Sequence, residues 1–243
     1  MLNGLRTRLV VRMLRTEPVL AVSASVTALE VAGYARQWCP DVDRIADTVV
    51  ALADTFEVRG PVDYDEAVWR RAGLPPEFPH VYAVRLGPNG YSSSISDWTR
   101  YNLVTGLARK LRGRCRDRAR NRWIEPYGEP PDPLVLAPRL LSAEDALRLL
   151  SPYLPGLHIG FRDGTEYGLG TDVAVMQIDV KTPSIFPLVR AQSWFTSARA
   201  VAEYEFGTDG TPPGRRQIDV AARALAATTD GVLLDEDGFP WQP

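Results

Sequence analysis

The sequence predicts an α+β protein: a helical N-terminal half carrying a small hairpin, then a C-terminal mixed sheet with helices packed on it. Three observations predict it. Within Asp97–Trp123, the residues Trp98, Tyr101, Val104, Ala108, Leu111, Cys115 and Ala119 recur at steps of three and four, the period of one buried helix face. Asp172–Lys181 alternates instead with period two, Ala174, Met176, Ile178 and Val180 on one face and Val173, Val175, Gln177, Asp179 and Lys181 on the other. Between them, Pro126, Pro130, Pro131, Pro133 and Pro138 make a stretch that cannot be helical. It reads as a stiff, exposed junction over 126–138, between a half at 1–125 and a half at 139–243.

Taken in order, Leu2, Leu5, Leu9 and Met13 fall at helical spacing, and the segment reads as a first helix packed on its own domain. Pro18–Ser23 reads as a short buried strand. Helices are expected over Thr27–Trp38 and over Asp41–Asp54, where Val42, Ile45, Val49 and Leu52 form a stripe after the break at Pro40. Gly60-Pro61 interrupts the chain. Asp63–Ala72 opens with acids and closes with arginines, the order that complements a helix dipole. Leu74–Pro79 is irregular. Val81–Leu86 is a strand, Gly87–Gly90 a turn and Tyr91–Ile95 its return strand. The long helix then runs over 97–122, with Asp97 as N-cap.

In the second half, Ser142 caps a helix to Tyr153, with Asp145 in the place of a capping-box acid. His158–Asp163 is a strand, Gly164–Thr171 a turn-rich connection and Asp172–Lys181 the strand that follows. Ile185–Phe195 fits helix or loop. Ala200–Phe206 ends in strand-like alternation. Arg215–Thr228 is an alanine-rich helix, and Val232–Asp235 a last short strand. No internal repeat shows at a fixed period.

Composition is that of an ordinary globular protein, 45% hydrophobic and 24% charged. The net charge of −2 hides an asymmetry: residues 109–122 hold eight cations and one acid, so the remainder carries −9. The cationic half of the long helix (Arg112, Arg114, Arg116, Arg118, Arg120 and Arg122) is a candidate binding surface, and Arg109–Arg122 a possible contact for nucleic-acid phosphates. Two cysteines are too few for a disulfide scaffold, and with two distant histidines they give no zinc spacing. No secretory signal and no apolar run of about 20 residues is present, which points to a cytoplasmic protein with no membrane partner.

The catalytic motifs are negative. Gly168-Leu169-Gly170 lacks the third glycine of a dinucleotide loop and precedes a strand instead of following one. Gly90–Ser94 lacks the closing glycine of a nucleophile elbow. One constellation stands out. Asp179-Val180-Lys181 puts an acid and a lysine on one strand face, and a hairpin would bring Asp163 alongside. The pattern resembles PD-(D/E)xK nucleases, although Arg162 stands where the family has proline. That resemblance implies a Mg²⁺-dependent nuclease with Asp163, Asp179 and Lys181 as catalytic residues.

A second resemblance lies in the tail. Asp219–Trp241 is an alanine-rich helix, a turn, a short apolar strand, an acidic cluster and a tryptophan. It is similar in style to the C-terminal end of several small bacterial immunity proteins that neutralise secreted toxins. The resemblance implies an α+β binding protein without catalysis, in which Asp235, Glu236 and Asp237 would face a basic toxin surface. The expectation is therefore a non-enzymatic, cytoplasmic, protein-binding chain without metal or other cofactor; the alternative is the nuclease.

Overall fold

The computed structural model describes residues 10–39, 42–46, 49–52, 55–62, 66–88, 90, 94–117, 122–126, 131–172, 174–181 and 201–241. The chain is α+β and divides into two compact units, Met1–Pro130 and Pro131–Pro243. Every strand pair in both is antiparallel.

Unit 1 is not mainly helical. It is built on a seven-stranded sheet ordered β2-β3-β4-β5-β1-β6-β7. The elements are α1 (10–16), β1 (Val19–Val22), α2 (Ala28–Trp38), β2 (Val42–Ala46), β3 (Val49–Leu52), β4 (Phe56–Arg59), α3 (Glu66–Ala72), β5 (His80–Leu86), α4 (Ser94–Lys110), β6 (Arg114–Asp117) and β7 (Arg122–Ile124). Leu14 of α1 and Val68 and Ala72 of α3 bury one sheet face together with Val19, Ala21 and Val81. Helices α2 and α4 also pack in this unit, with Trp38, Leu103 and Leu107 fully buried.

Unit 2 has a six-stranded sheet ordered β13-β8-β12-β11-β10-β9. Its elements are β8 (Pro133–Ala137), α5 (Ala143–Leu150), β9 (His158–Asp163), β10 (Glu166–Gly170), β11 (Ala174–Lys181), β12 (Val201–Thr208), α6 (Pro212–Thr229) and β13 (Val232–Asp235). This sheet is antiparallel, not mixed. Tyr167, Leu169, Met176, Tyr204 and Phe206 pack under α5 and α6 against Leu150, Ile218 and Leu225. The Tyr204 hydroxyl accepts from the Leu141 N–H at 2.9 Å and donates to the Arg139 carbonyl at 3.1 Å. Burial pushes the Tyr204 and Tyr167 hydroxyls above their usual range.

The two sheets share one topology. Read from one edge, β2-β3-β4-β5-β1-β6 repeats as β9-β10-β11-β12-β8-β13. The details repeat as well. Thr27 follows β1 by five positions and caps α2; Ser142 follows β8 by five and caps α5. In each, the carboxylate three residues on accepts from the cap, Glu30 from the Thr27 N–H and hydroxyl and Asp145 from the Ser142 hydroxyl, and those hydrogen bonds hold both carboxyls below the usual range. Gly113 and Gly231 end α4 and α6 alike, each N–H donating at 2.8 Å to the carbonyl five residues back, of Ala108 and Ala226. A bulge interrupts β2 between Arg44 and Ala46, and β9 at the matching Gly160. Registers and caps recur between the units, while the residues filling them differ, so the sequence shows no repeat at a fixed period.

Four expectations of the sequence fail. The long helix does not reach 122; Arg112 turns to φ +49° and Gly113 admits the close approach of β1, so Arg114 and Arg116 belong to β6 and Arg122 to β7. Residues 42–46 and 49–52 form β2 and β3, because Val42, Ile45 and Val49 fit a helical stripe with Leu52 yet are β-branched and favour strands. The proline segment is not all junction: Pro133–Ala137 is a buried interior strand, with Pro133 at its first position, where a missing N–H is tolerated. The connection at 164–171 contains β10. The return strand at Tyr91–Ile95 falls partly outside the described residues, and α4 begins at Ser94. Residues 1–9 and the ambiguous segment 185–195 lie outside them too.

Candidate functional site

The arginines expected on one helix face are dispersed. Arg112 is exposed at the end of α4. Arg114 is held by Glu77 at 2.7 Å and by Glu125, with its guanidinium 5.2 Å from the Phe78 ring centroid. Arg116 is buried under α1. Arg122 is exposed on β7, and Arg118 and Arg120 lie outside the described residues. The Arg109 Nε donates to the Pro126 carbonyl at 2.7 Å.

The tail acids mostly serve the turn that closes β13. The Asp235 Oδ1 accepts from the Phe239 N–H at 2.7 Å. Asp235 and Asp237 are buried, and Glu236 alone of the three is exposed. A short strand followed by a tight turn needs such a carboxylate to satisfy its backbone donors.

Asp163 and Asp179 do not share a hairpin. Strand β9 pairs with β10, and β10 with β11. Two strand spacings, roughly 9.6 Å, therefore separate the strands that carry them. Asp163 stands opposite Glu166, Asp179 opposite Glu203 and Lys181 opposite Val201. Among the described residues, no three His, Cys, Asp or Glu side chains converge as a metal site.

What the register does assemble is the sheet face of unit 2 opposite Tyr167, Met176 and Tyr204. Antiparallel partners share a face, so Phe161, Gly168, Gln177 and Glu205 lie in one row, and His158, Gly170, Val175 and Gly207 in the next. Phe161 reaches this side because the extra residue at Gly160 inverts the alternation after Ile159. Its ring lies against the Gly168 backbone, where a Cβ would overlap it. Val175 sits beside Gly207, whose Cβ would come 3.1 Å from its Cγ2. Both apolar side chains are open to solvent, Phe161 by 43% and Val175 by 55%. Exposed Glu205, Asp163 and Glu166 rim them, in a unit whose net charge is −6 against +4 for unit 1.

Comparison with known families, curated proteins and solved structures finds no match. The chain's own duplication supplies an internal comparison. At the backbone positions of Gly168, Gly170 and Gly207, unit 1 carries Val49, Ala51 and Arg85. The shared fold therefore does not demand glycine there. Sequence reasoning missed this face. Alternation turned Val175 and Gln177 outward, but the glycines were weighed only as a nucleotide loop, and the bulge that reorients Phe161 leaves no sequence signal. No described helix is long and apolar enough to cross a membrane.

Proposed function

We propose that this is a non-enzymatic cytoplasmic binding protein, in the manner of toxin-immunity proteins, and that the outer sheet face of unit 2 meets a protein with a basic surface. One observation carries the reading: three glycines floor that face where the sister unit needs none, leaving Phe161 and Val175 raised and ringed by acids. Gly168 lets the Phe161 ring lie on the sheet and Gly207 leaves room beside Val175, and exposed apolar groups inside a charged rim are the anatomy of an interface. The acids favour a basic protein and repel nucleic-acid phosphates.

The test compares proteins captured from the native host by the intact chain and by Val175→Arg. At a half-exposed site the substitution should cost no more than about 0.5 kcal/mol of stability. It should abolish capture of a partner whose retention also weakens with salt, while Arg223→Ala on α6 leaves capture unchanged. Equal capture by Val175→Arg and the intact chain would sink the reading.

A second reading is the Mg²⁺-dependent nuclease with Asp163, Asp179 and Lys181 as its catalytic residues. In the register Asp163 pairs with Glu166 and Asp179 with Glu203, on four neighbouring strands. It predicts Mg²⁺- or Mn²⁺-dependent cutting of DNA or RNA that vanishes in Asp179→Ala and Lys181→Ala. We expect no cutting, because a metal held at about 2.1 Å from each oxygen is most readily shared between adjacent strands, and β10 intervenes.

A further inference from the structure

A surface cavity of about 320 Å³ in unit 1 is lined by Val11, Arg12, Arg15, Thr16 and Arg71. Arg12 and Arg15 stand one turn apart on α1, and Arg71 lies in the last turn of α3. The Arg15 Nη2 donates to the Arg71 carbonyl at 2.7 Å, which ties the two helices together. A fourth guanidinium lies beneath them. Arg116 of β6 is only 9% exposed, and its Nη1 donates at 2.9 Å to the carbonyl of Leu14, between Arg12 and Arg15. Its Nε has no acceptor. None of the four has a carboxylate partner among the described residues. Burial, and then the charge of Arg15, hold the Arg116 guanidinium below its usual range.

Like charges gathered without acids are unfavourable, and a buried one more so. The duplication shows that the fold does not require this. Register makes Arg116 the counterpart of Leu234, which is fully buried in unit 2. A leucine therefore fills the same place in the same topology. We propose that the cavity between α1 and α3 binds a small phosphate-bearing anion, with Arg12, Arg15 and Arg71 on the phosphate oxygens and Arg116 supplying charge from beneath. The guanidinium fork matches phosphate geometry, and three forks on one rim suit a dianion better than a carboxylate. The cavity has the size of a small-molecule site. Free phosphate and a phosphate monoester share this chemistry.

The test uses the full chain, titrated by calorimetry and by thermal melting with inorganic phosphate, with glucose 6-phosphate, and with sodium chloride at matched ionic strength. Saturable binding of one equivalent is expected for a phosphate species and not for chloride. Tighter binding of the ester would identify an esterified ligand, and tighter binding of phosphate the free ion. Monoester binding should strengthen between pH 5.5 and 7.5, as the second ionisation near about 6 completes the dianion. Arg15→Ala and Arg71→Ala, both at exposed positions, should weaken binding about tenfold or more. Arg116→Leu should melt at or above the temperature of the parent chain and yet bind phosphate several-fold more weakly; a purely structural arginine would give a lower melting temperature and unchanged binding. If Arg116→Leu does not fold, the two exposed variants decide. Absence of saturable binding, chloride acting as well as phosphate, or variants that bind like the parent would overturn the proposal.

Discussion

Replacing Arg100 with alanine should cost about 3–5 kcal/mol of unfolding free energy, the largest loss expected from a single polar side chain here. Arg100 lies on α4 and is 8% exposed. Its Nη1 meets the Glu17 carboxylate at 2.5 Å and its Nη2 the Asp97 carboxylate. Both acids are partly buried, each with a side chain 22% exposed. Removing the cation takes its ion pair from Asp97 and leaves the Glu17 carboxylate unpaired in a poorly solvated place, and that loss of compensation, rather than the worth of the ion pairs, makes the substitution costly. The matching position on α6 is Ile218, buried among apolar neighbours. Arg100→Ile alone should still be costly, because the acids stay. Denaturant unfolding of both variants checks this; a loss under about 1 kcal/mol would mean that Glu17 and Asp97 are well hydrated without Arg100.

Gly113→Ala should be nearly as damaging, at about 3 kcal/mol or more. A Cβ there would lie 2.5 Å from the Ala21 carbonyl oxygen and 2.9 Å from Val22 Cγ1. The first of these is backbone of the interior strand β1 and cannot rotate away. Gly231 meets the Leu136 carbonyl in the same way, but at 2.9 Å, so Gly231→Ala should cost less. Thermal melts of the two variants should keep that order. Gly73→Ala tests the opposite limit, since no atom lies within 4 Å of its Cβ; its penalty should come only from φ +62°.

Legibility followed the range of the forces involved. Caps and period-two alternation act over a few residues, and so Ser142, Asp145 and the outward turn of Val175 were readable. The class, α+β, followed from them. The end of α4 was not readable, because Gly113 is required by a carbonyl on β1, far away in sequence. The apolar stripe through Trp98 holds at Val104 and Ala108, which are fully buried, but not at Trp98, which is half exposed. Thr99, Leu103 and Leu107, outside the stripe, are buried as well, since the sheet sets the buried face. Arg116 looked like a member of a cationic surface, and only its strand placement puts it inside. Phe161 was hidden for a different reason: one extra residue in a strand changes the facing of everything beyond it.

The order of strands bears on how the chain is made. In each unit the strand synthesised first ends as an interior strand, third from one edge in unit 1 and second from one edge in unit 2. Val19 of β1 pairs with Ala83, and its neighbour Leu20 with Cys115. In unit 2, Val135 of β8 pairs with Tyr204 and with Leu233. Neither strand can find both partners until almost all of its unit has left the ribosome. Hairpins such as β3–β4 or β9–β10 can form early, but the sheet closes only on a late, long-range step. Until then β1, an apolar Val-Leu-Ala-Val run, waits with both edges unpaired. Unit 1 meets that hazard while unit 2 is still being translated, which makes residues 18–22 the segment where a chaperone would be expected to hold the nascent chain.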